Sequence, residues 1–583
     1  MSAIFGSGSF PGAGRRAGSS APEQGRAAVG STRLAMLAAL ALVAFYNVPA
    51  WRALARLVPL AGLGDAAFYV SFGVLMWAAF ALLLTAVSFR WIFKPVLMLI
   101  AIASALAAYF MTDYGVSIDS VMIQNMAETN LAEASALFSP AMLGYLLVLG
   151  LLPTALVWRL PVAYARGWKG LAGRAGTVLA CAMAGILMLA AFYGVYSPLL
   201  RQNRALTNFI NPTSYLHALD KYAHQRWGVK ETLAVAPIGL DARPGPAWAR
   251  QPRKSLVVFV VGETARADHF GLNGYARDTT PELRRLGVLN FGRVSSCGTS
   301  TAVSVPCMFS GFPRADYSDR KAKTHEGLLD VLQRAGVEVF WRDNNSDCKG
   351  ACLRVPHDTV DARRNDARCD GETCYDEVML DGLQQYIDAK QDNVFIVLHS
   401  IGSHGPAYYR RYPAAFQKFS PVCRSNQFSQ CTHEELINAY DNTIAYTDHF
   451  LAQVVALLQR NAAQRDTAMV YVSDHGESLG ENGLYLHAAP YAIAPEAQTH
   501  VPMVMWLSPE AQRDWGIDRR CLAARGDAPF SHDNVFHTFL GLFDVQTALY
   551  RPALDMAAPC RDLPEGPASA VAPSAAPPAP RKS

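Results

Sequence analysis

Five stretches within the first 200 residues carry no Asp, Glu, Lys or Arg: Leu34 to Trp51, Ala66 to Phe89, Pro95 to Thr112, Ala141 to Trp158 and Ala175 to Leu200. Each is about long enough to cross a hydrocarbon core of roughly 30 Å as a helix. Across all 583 residues only 17% are charged and 51% are apolar, a balance that fits a chain with a membrane portion. Basic residues set the expected orientation. Arg15, Arg16, Arg26 and Arg33 precede the first span, Arg90 and Lys94 follow the second, and Arg159, Arg166, Lys169 and Arg174 follow the fourth, so these segments are expected in the cytoplasm. The loop Asp113 to Pro140 holds Asp113, Asp119, Glu128 and Glu133 with no Lys or Arg, so it is expected outside, as is everything after the fifth span. Arg52 and Arg56, after the first span, dilute this contrast. The leader before that span is long and no small-residue cleavage site follows it, which favours an uncleaved anchor over a signal peptide.

Cysteine placement is an independent check on topology. Cys181 lies in the fifth span, and the other ten, Cys297 to Cys560, all fall in the segment placed outside. Cys297 with Cys307, Cys348 with Cys352, Cys369 with Cys374, and Cys423 with Cys431 read as short disulfides of an oxidising compartment, leaving Cys521 with Cys560. A structural zinc cluster of Cys348, Cys352, Cys369 and Cys374 is the competing reading. The net charge of +4 implies no nucleic-acid partner.

Both ends are compositionally biased. Residues 1–32 are rich in Gly, Ser and Ala, and residues 565–583 in Pro and Ala, so both are expected to be disordered and free of chemistry. A five-helix membrane domain is expected over 33–200, a connector over 201–253 and a catalytic domain over 254–564. In the last of these, the apolar runs Leu256 to Val261, Val337 to Trp341, Val394 to Leu398, Ala468 to Val472 and Met503 to Leu507 alternate with amphipathic stretches. That alternation predicts an α/β domain, a parallel or mixed sheet covered by helices on both faces.

Three of those runs stop at metal-ligating residues. Val261 is followed by Gly262-Glu263-Thr264, Leu398 by His399 and then His404, and Val472 by Ser473-Asp474-His475. Open α/β sheets collect ligands outside the carboxyl ends of their strands, and carboxylate with imidazole is a donor mixture that zinc accepts. Any one of these residues could simply cap a helix or form a structural hydrogen bond; three coincident strand ends point to a shared site. A nucleophile is sought in Ser296 to Cys307, a hydroxyl-dense segment. A hydroxyl attacking phosphorus needs activation, which a divalent metal supplies. Spacing does not choose among Thr299, Ser300, Thr301 and Ser304.

Gly262-Glu-Thr-Ala-Arg266, Cys297 to Cys307, Cys348-Lys-Gly-Ala-Cys352, His399-Ser-Ile-Gly-Ser-His404-Gly-Pro406, Ser473 to Asn482 and Tyr485-Leu486-His487 closely resemble the lipid A phosphoethanolamine transferases. The resemblance runs from the spans to about Leu507 and implies an inner-membrane, zinc-dependent enzyme with an alkaline-phosphatase-like α/β/α sandwich. By this resemblance Glu263, Thr301, Asp474 and His475 would hold the zinc, with Thr301 as nucleophile. Ser346, Lys349, His399, His404 and His487 would surround the phosphoethanolamine group, and His404 and His487 would share a second, weaker zinc. Asn125, Thr129 and Glu133, four apart and so on one helix face, would address the ethanolamine head group of the donor.

The implied reaction moves phosphoethanolamine from phosphatidylethanolamine to a lipid A phosphate through a phosphothreonine-type intermediate, in a monomer of the Gram-negative inner membrane with its catalytic domain in the periplasm. One of His399, His404 and His487 would serve as general acid and base. A related transferase acting on a core sugar or other glycan, or moving glycerol phosphate, would carry similar site residues. A sulfatase would need a Cys or Ser in a C/S-x-P-x-R motif, which the chain lacks. A non-catalytic membrane-anchored binding protein predicts missing ligands, whereas all four are present.

Overall fold

The structure, a computed structural model, describes residues 28–129, 134–135, 137–202, 204–227 and 235–561. Glu133, most of the Gly/Ser-rich leader and the Pro/Ala tail lie outside the described residues.

The first apolar run is not one straight helix. It forms α1 (Ser31–Ala41), a wider turn over Leu42–Tyr46, and α2 (Val48–Leu57), with a bend of 59° between the two halves. The cause is local: Pro49 sits in the first turn of α2, where it has no N–H to give. The Asn47 side chain repairs the break by donating to the Leu42 carbonyl at 2.9 Å and to the Asn211 carbonyl at 2.5 Å. Four continuous apolar helices follow: α3 (Leu63–Ala86), α4 (Phe93–Asp113), α6 (Pro140–Arg159) and α7 (Gly167–Ala191), with the short α5 (Ser120–Glu128) between α4 and α6. The fifth predicted span is displaced. Its helix starts at Gly167, earlier than expected, and ends at Ala191, where Phe192 leaves helical geometry before a separate helix at Tyr193–Gln202. Lys169 and Arg174 lie inside this helix and not before it, because long basic side chains can stay in a helix that continues into the interface.

The remainder is built on an eight-stranded sheet. Its strands are β1 (Lys254–Gly262), β2 (Leu289–Ser295), β3 (Glu338–Asp343), β4 (His357–Thr359), β5 (Val394–His399), β6 (Arg465–Ser473), β7 (His500–Leu507) and β8 (Phe530–Ser531). They lie in the order β8-β2-β7-β6-β1-β5-β3-β4, and β7 alone runs antiparallel to its neighbours. The continuous apolar runs follow from burial of both faces. Val257, Phe259 and Val261 enter one core with α8 (Thr301–Phe309), α9 (Leu328–Arg334) and α11 (Asp533–Leu542), while Leu256, Val258 and Val260 enter the other, against α10 (His433–Asn461).

Tyr109, Tyr114 and Val116, from the end of α4 and the loop after it, belong to that second core. The Tyr114 hydroxyl donates to the Asn426 carbonyl at 3.0 Å, and its carbonyl accepts from Tyr485 N at 2.8 Å. Arg56 of α2 donates to the Asn482 carbonyl at 2.6 Å. The membrane helices therefore dock on the segment that leads into His487.

All ten cysteines beyond the spans are paired, as Cys297–Cys307, Cys348–Cys352, Cys369–Cys374, Cys423–Cys431 and Cys521–Cys560, and Cys181 is free. The sequence pairing holds, and with both pairs consumed no four-cysteine zinc cluster forms.

Candidate active site and metal centre

The parallel register brings the four central strand ends level. Gly262 pairs with Ser473, Val261 with His399, and His399 with Asp343. Glu263, Asp474 and Asn345 therefore leave the sheet at one edge. Glu263, Asp474 and His475 are fully buried, and one donor atom from each lies within 4.8 Å of the others. His475 Nε2 is 3.3 Å from Asp474 Oδ2 and 3.5 Å from Glu263 Oε1. Its Nδ1 donates to the Gly476 carbonyl at 2.8 Å, which turns the Nε2 lone pair toward the carboxylates. Burial pushes the Asp474 carboxyl up and the His475 imidazole down to about 3. Lone pairs facing lone pairs in a dry pocket are costly, and a divalent cation would relieve them. The donor set of two carboxylates, an imidazole and a hydroxyl suits zinc.

The structure separates the four candidate hydroxyls. Thr299 donates to the Ala489 carbonyl at 2.6 Å, and Ser304 accepts from Gly298 N at 2.9 Å, so both serve the turn. Ser300 is the fully buried N-cap residue of α8. Thr301, the first residue of α8, is directed at the cluster: Oγ1 donates to Glu263 Oε2 at 3.0 Å and lies 3.4 Å from His475 Nε2. The Cys297–Cys307 disulfide closes the turn that presents it.

Several supporting residues carry roles that the sequence does not assign. Asn345 donates to Glu263 Oε2 at 2.7 Å and to the Ser400 carbonyl at 3.0 Å, and stands 3.4 Å from His399 Nε2. Asp343 accepts from His399 Nδ1 at 2.8 Å and from Trp341 Nε1 at 2.9 Å. Burial opposes its ionisation, but His399 and these donors hold its carboxyl below the usual range. Glu477 accepts from the Tyr408 hydroxyl at 2.8 Å and from His487 Nδ1 at 3.0 Å. His532 accepts from Cys297 N at 3.0 Å and donates to the Ser473 carbonyl at 3.0 Å, tying the Thr301 turn to the Asp474 strand. Gly402, at φ +47°, has room for no side chain, since a Cβ there would stand 2.8 Å from the Glu263 carbonyl. Asp343 and Asn345 follow an apolar strand as Glu263 does, a signal available in the sequence. His532 carries no such signal, because its strand has two residues.

A cavity in front of Thr301 gathers most of the remaining predicted residues. Its walls include Asn125, Thr129, Ser346, Lys349, His404 and His487. Lys349 Nζ donates to the Ser346 carbonyl at 2.7 Å and to the Glu128 carbonyl at 3.4 Å. The His404 and His487 rings are 5.6 Å apart, and burial followed by the charge of His487 holds His404 well below its ordinary pKa. His399, by contrast, is fully buried behind Asn345 and does not line this cavity. The expected helical face of Asn125, Thr129 and Glu133 needs correction. α5 ends at Glu128, Thr129 is extended (φ −68°, ψ 134°), and its hydroxyl donates back to the Asn125 carbonyl at 2.6 Å. Thr129 thus reaches the cavity from the end of the helix, not along its face.

A mixed α/β sheet with a cluster of acidic and histidine side chains at its strand ends, docked on membrane helices, defines a membrane-anchored enzyme of the alkaline phosphatase superfamily. The sulfatase family profile matches residues 255–545, and that of phosphoethanolamine transferases EptA and EptB matches residues 76–227. Phosphoethanolamine transferase EptA of Escherichia coli K12 is 41% identical over 540 residues, 91% of this chain and 98% of its own length. Phosphatidylethanolamine transferase Mcr-1 of Escherichia coli is 40% identical over 520 residues, 87% of this chain and 94% of that protein. The solved integral membrane lipooligosaccharide phosphoethanolamine transferase A of Neisseria meningitidis superposes with a TM-score of 0.88 at 36% identity, covering 92% of this chain and 99% of that one. The chain belongs to the phosphoethanolamine transferase family of these proteins.

Proposed function

We propose that the protein transfers phosphoethanolamine from phosphatidylethanolamine to a phosphate of lipid A, with Thr301 as the group that is modified in transit. The observation that carries this reading is the Thr301 hydroxyl, 3.0 Å from Glu263 Oε2 beside Asp474 and His475, facing a cavity walled by the membrane domain. The names of the relatives support the donor and the transferred group.

In the first half-reaction Thr301 Oγ1 bonds to phosphorus, the bond to the glycerol oxygen breaks, and the threonine proton passes to that oxygen, releasing diacylglycerol. In the second, a lipid A phosphate oxygen bonds to phosphorus, the bond to Thr301 breaks, and the acceptor's proton returns to the threonine. Zinc held by Glu263, Thr301, Asp474 and His475 would lower the hydroxyl's pKa and offset charge on the phosphoryl oxygens. Lys349 supplies a compact positive charge beside the transferring group. His404 and His487 stand where a proton must move, and Glu477 fixes the His487 tautomer. His399, held by Asp343, positions Asn345 and through it Glu263. Asn125 and Thr129 face the donor's head group from the membrane side; Glu133 is proposed beside them on family resemblance alone. His404 and His487 are a proposed second, weaker zinc site.

The 41% identity to the periplasmic domain of a Campylobacter jejuni phosphoethanolamine transferase supports placing the soluble domain in the periplasm; a Gram-negative inner membrane, and the division into cytoplasmic leader, membrane domain, connector and tail, are proposed from the charge and composition of the chain. The enzyme is proposed to act as a monomer. Mass analysis of lipid A from a Gram-negative host making this protein tests the function. The expected result is added phosphoethanolamine with the wild type and none with Thr301→Ala; unmodified lipid A with the wild type overturns it.

A further inference from the structure

A double displacement at Thr301 has to admit two lipids in turn, and two cavities of different character meet at the site. The first, in front of Thr301, is small, about 110 Å³, and its far wall is apolar and comes from the membrane domain: Phe110, Val116, Ile118, Met122, Met126 and Leu137. The second is a groove of about 1010 Å³ whose wall beyond the site comes mainly from the soluble domain and is mixed, with Lys323, His325, His357 and Thr359 beside Trp341 and Leu353. Ser346, Lys349, Glu128 and Thr129 line both, so the two spaces share one partition.

Lys349 is the notable member of that partition. Its side chain is 5% exposed, yet the groups it donates to are the carbonyls of Ser346 and Glu128, and its nearest described carboxylate, Asp347, is 3.8 Å away. The ammonium can therefore serve a phosphate arriving from either side. Other acidic groups of the groove are already engaged: Glu326 by Arg334 at 2.6 Å, Asp358 by Arg342 at 2.8 Å, and Glu128 by Lys323 at 3.5 Å. What remains is a mixed surface in which His325, His357 and Thr359 offer hydrogen bonds beside Trp341 and Leu353, a lining that suits a phosphorylated sugar, whose ring has both polar and apolar faces.

On the transferase reading above, we propose that the two substrates use separate entrances: the donor phospholipid enters through the apolar cavity against the membrane helices, and the acceptor's phosphorylated sugar head group enters through the larger groove of the soluble domain. The roomier and more polar space thus takes the bulkier and more polar partner, and the partition at Lys349 is where the transferring group waits between them.

The test separates the half-reactions in the full-length protein in lipid–detergent micelles. Release of labelled diacylglycerol from labelled phosphatidylethanolamine, without acceptor, reads the first; phosphoethanolamine added to lipid A reads the second. Leu353 is 68% exposed and lines the groove, so Leu353→Trp narrows it without disturbing the core. His357→Trp, at the exposed edge strand, is a second block of the same wall. Both are expected to lower lipid A modification about tenfold or more while diacylglycerol release stays within about twofold of wild type. Met126→Trp, in the apolar cavity, is expected to slow diacylglycerol release. The proposal is overturned if both groove variants modify lipid A as well as wild type does, or if they slow both half-reactions equally. A wild type that leaves lipid A unmodified while releasing diacylglycerol would instead sink the acceptor assignment on which the proposal rests.

Discussion

At the residue scale the site is a set of buried polar atoms held by hydrogen bonds that leave specific lone pairs facing inward. Thr301→Ala removes the hydroxyl that its turn directs at Glu263. Diacylglycerol release is expected to fall on the order of 10⁴-fold or more, measured by single-turnover assay with labelled phospholipid. Asp474→Ala is expected to lower the zinc retained after dialysis, measured by elemental analysis; undiminished zinc would place the metal elsewhere. Asn345→Ala leaves every proposed ligand in place but frees Glu263 Oε2 from its 2.7 Å partner. Loss of such a support typically costs about 10–100-fold in affinity or activity, so weaker zinc retention and slower turnover are expected together. Glu263 and Asp474 were legible in the sequence because each ends an apolar strand. Asn345 follows the same rule, but an amide raises no metal expectation, and its role emerges only when β3, β5 and β1 are laid side by side. Choosing Thr301 from four hydroxyls likewise needs the turn's own hydrogen bonds, which residue spacing does not encode.

Elements carry the next level of organisation. The alternation of apolar runs and amphipathic stretches made the α/β sheet readable, since burial of both faces leaves a composition that strands exposed on one face lack. The two-residue β8 was not readable, yet it delivers His532, which joins the Thr301 turn to the strand bearing Asp474. Burial pushes His532 and His537 down to about 4 each. In the unfolded chain both take up protons near the ordinary value of about 6.5, so between those limits the unfolded state binds more protons. Stability is therefore expected to rise with pH across that window and to be lost as pH falls from about 6.5 toward about 4. Thermal melts of the wild type against His537→Phe should show a shallower acid limb in the variant. An unchanged limb would mean that other groups govern acid unfolding. The membrane helices show the opposite pattern of legibility: their existence was plain and Pro49 marks the 59° bend, while the early start of α7 depended on how Lys169 is accommodated in three dimensions.

At the scale of the molecule, two bodies of different solvent preference share one cavity. The solved soluble domain of the Neisseria meningitidis transferase aligns with 57% of this chain at 45% identity. A fragment covering residues 254–561 is accordingly expected to fold and to retain zinc. It lacks Phe110, Met122, Asn125 and Met126 from the cavity wall, so it is expected to release diacylglycerol from phosphatidylethanolamine far more slowly than the full chain. Equal rates in micelles would show that the membrane helices serve only as an anchor. Composition foretold the division into two bodies, because charge-free runs and strand-like runs occupy different halves of the chain; the shared wall was not foretold, since it forms between residues far apart in sequence, such as Tyr114 and Tyr485.

That contact has a mechanical consequence. The Tyr485 N–H that binds the Tyr114 carbonyl lies two residues before His487, and the Asn482 carbonyl that binds Arg56 lies five before it. Any tilt of the helices, for example as bilayer thickness changes, would pull on the segment leading to His487, which shares a cavity wall with Thr301. Catalysis in such a molecule would register the stiffness and thickness of its own substrate bilayer, and turnover compared across vesicles of graded acyl length would chart that response.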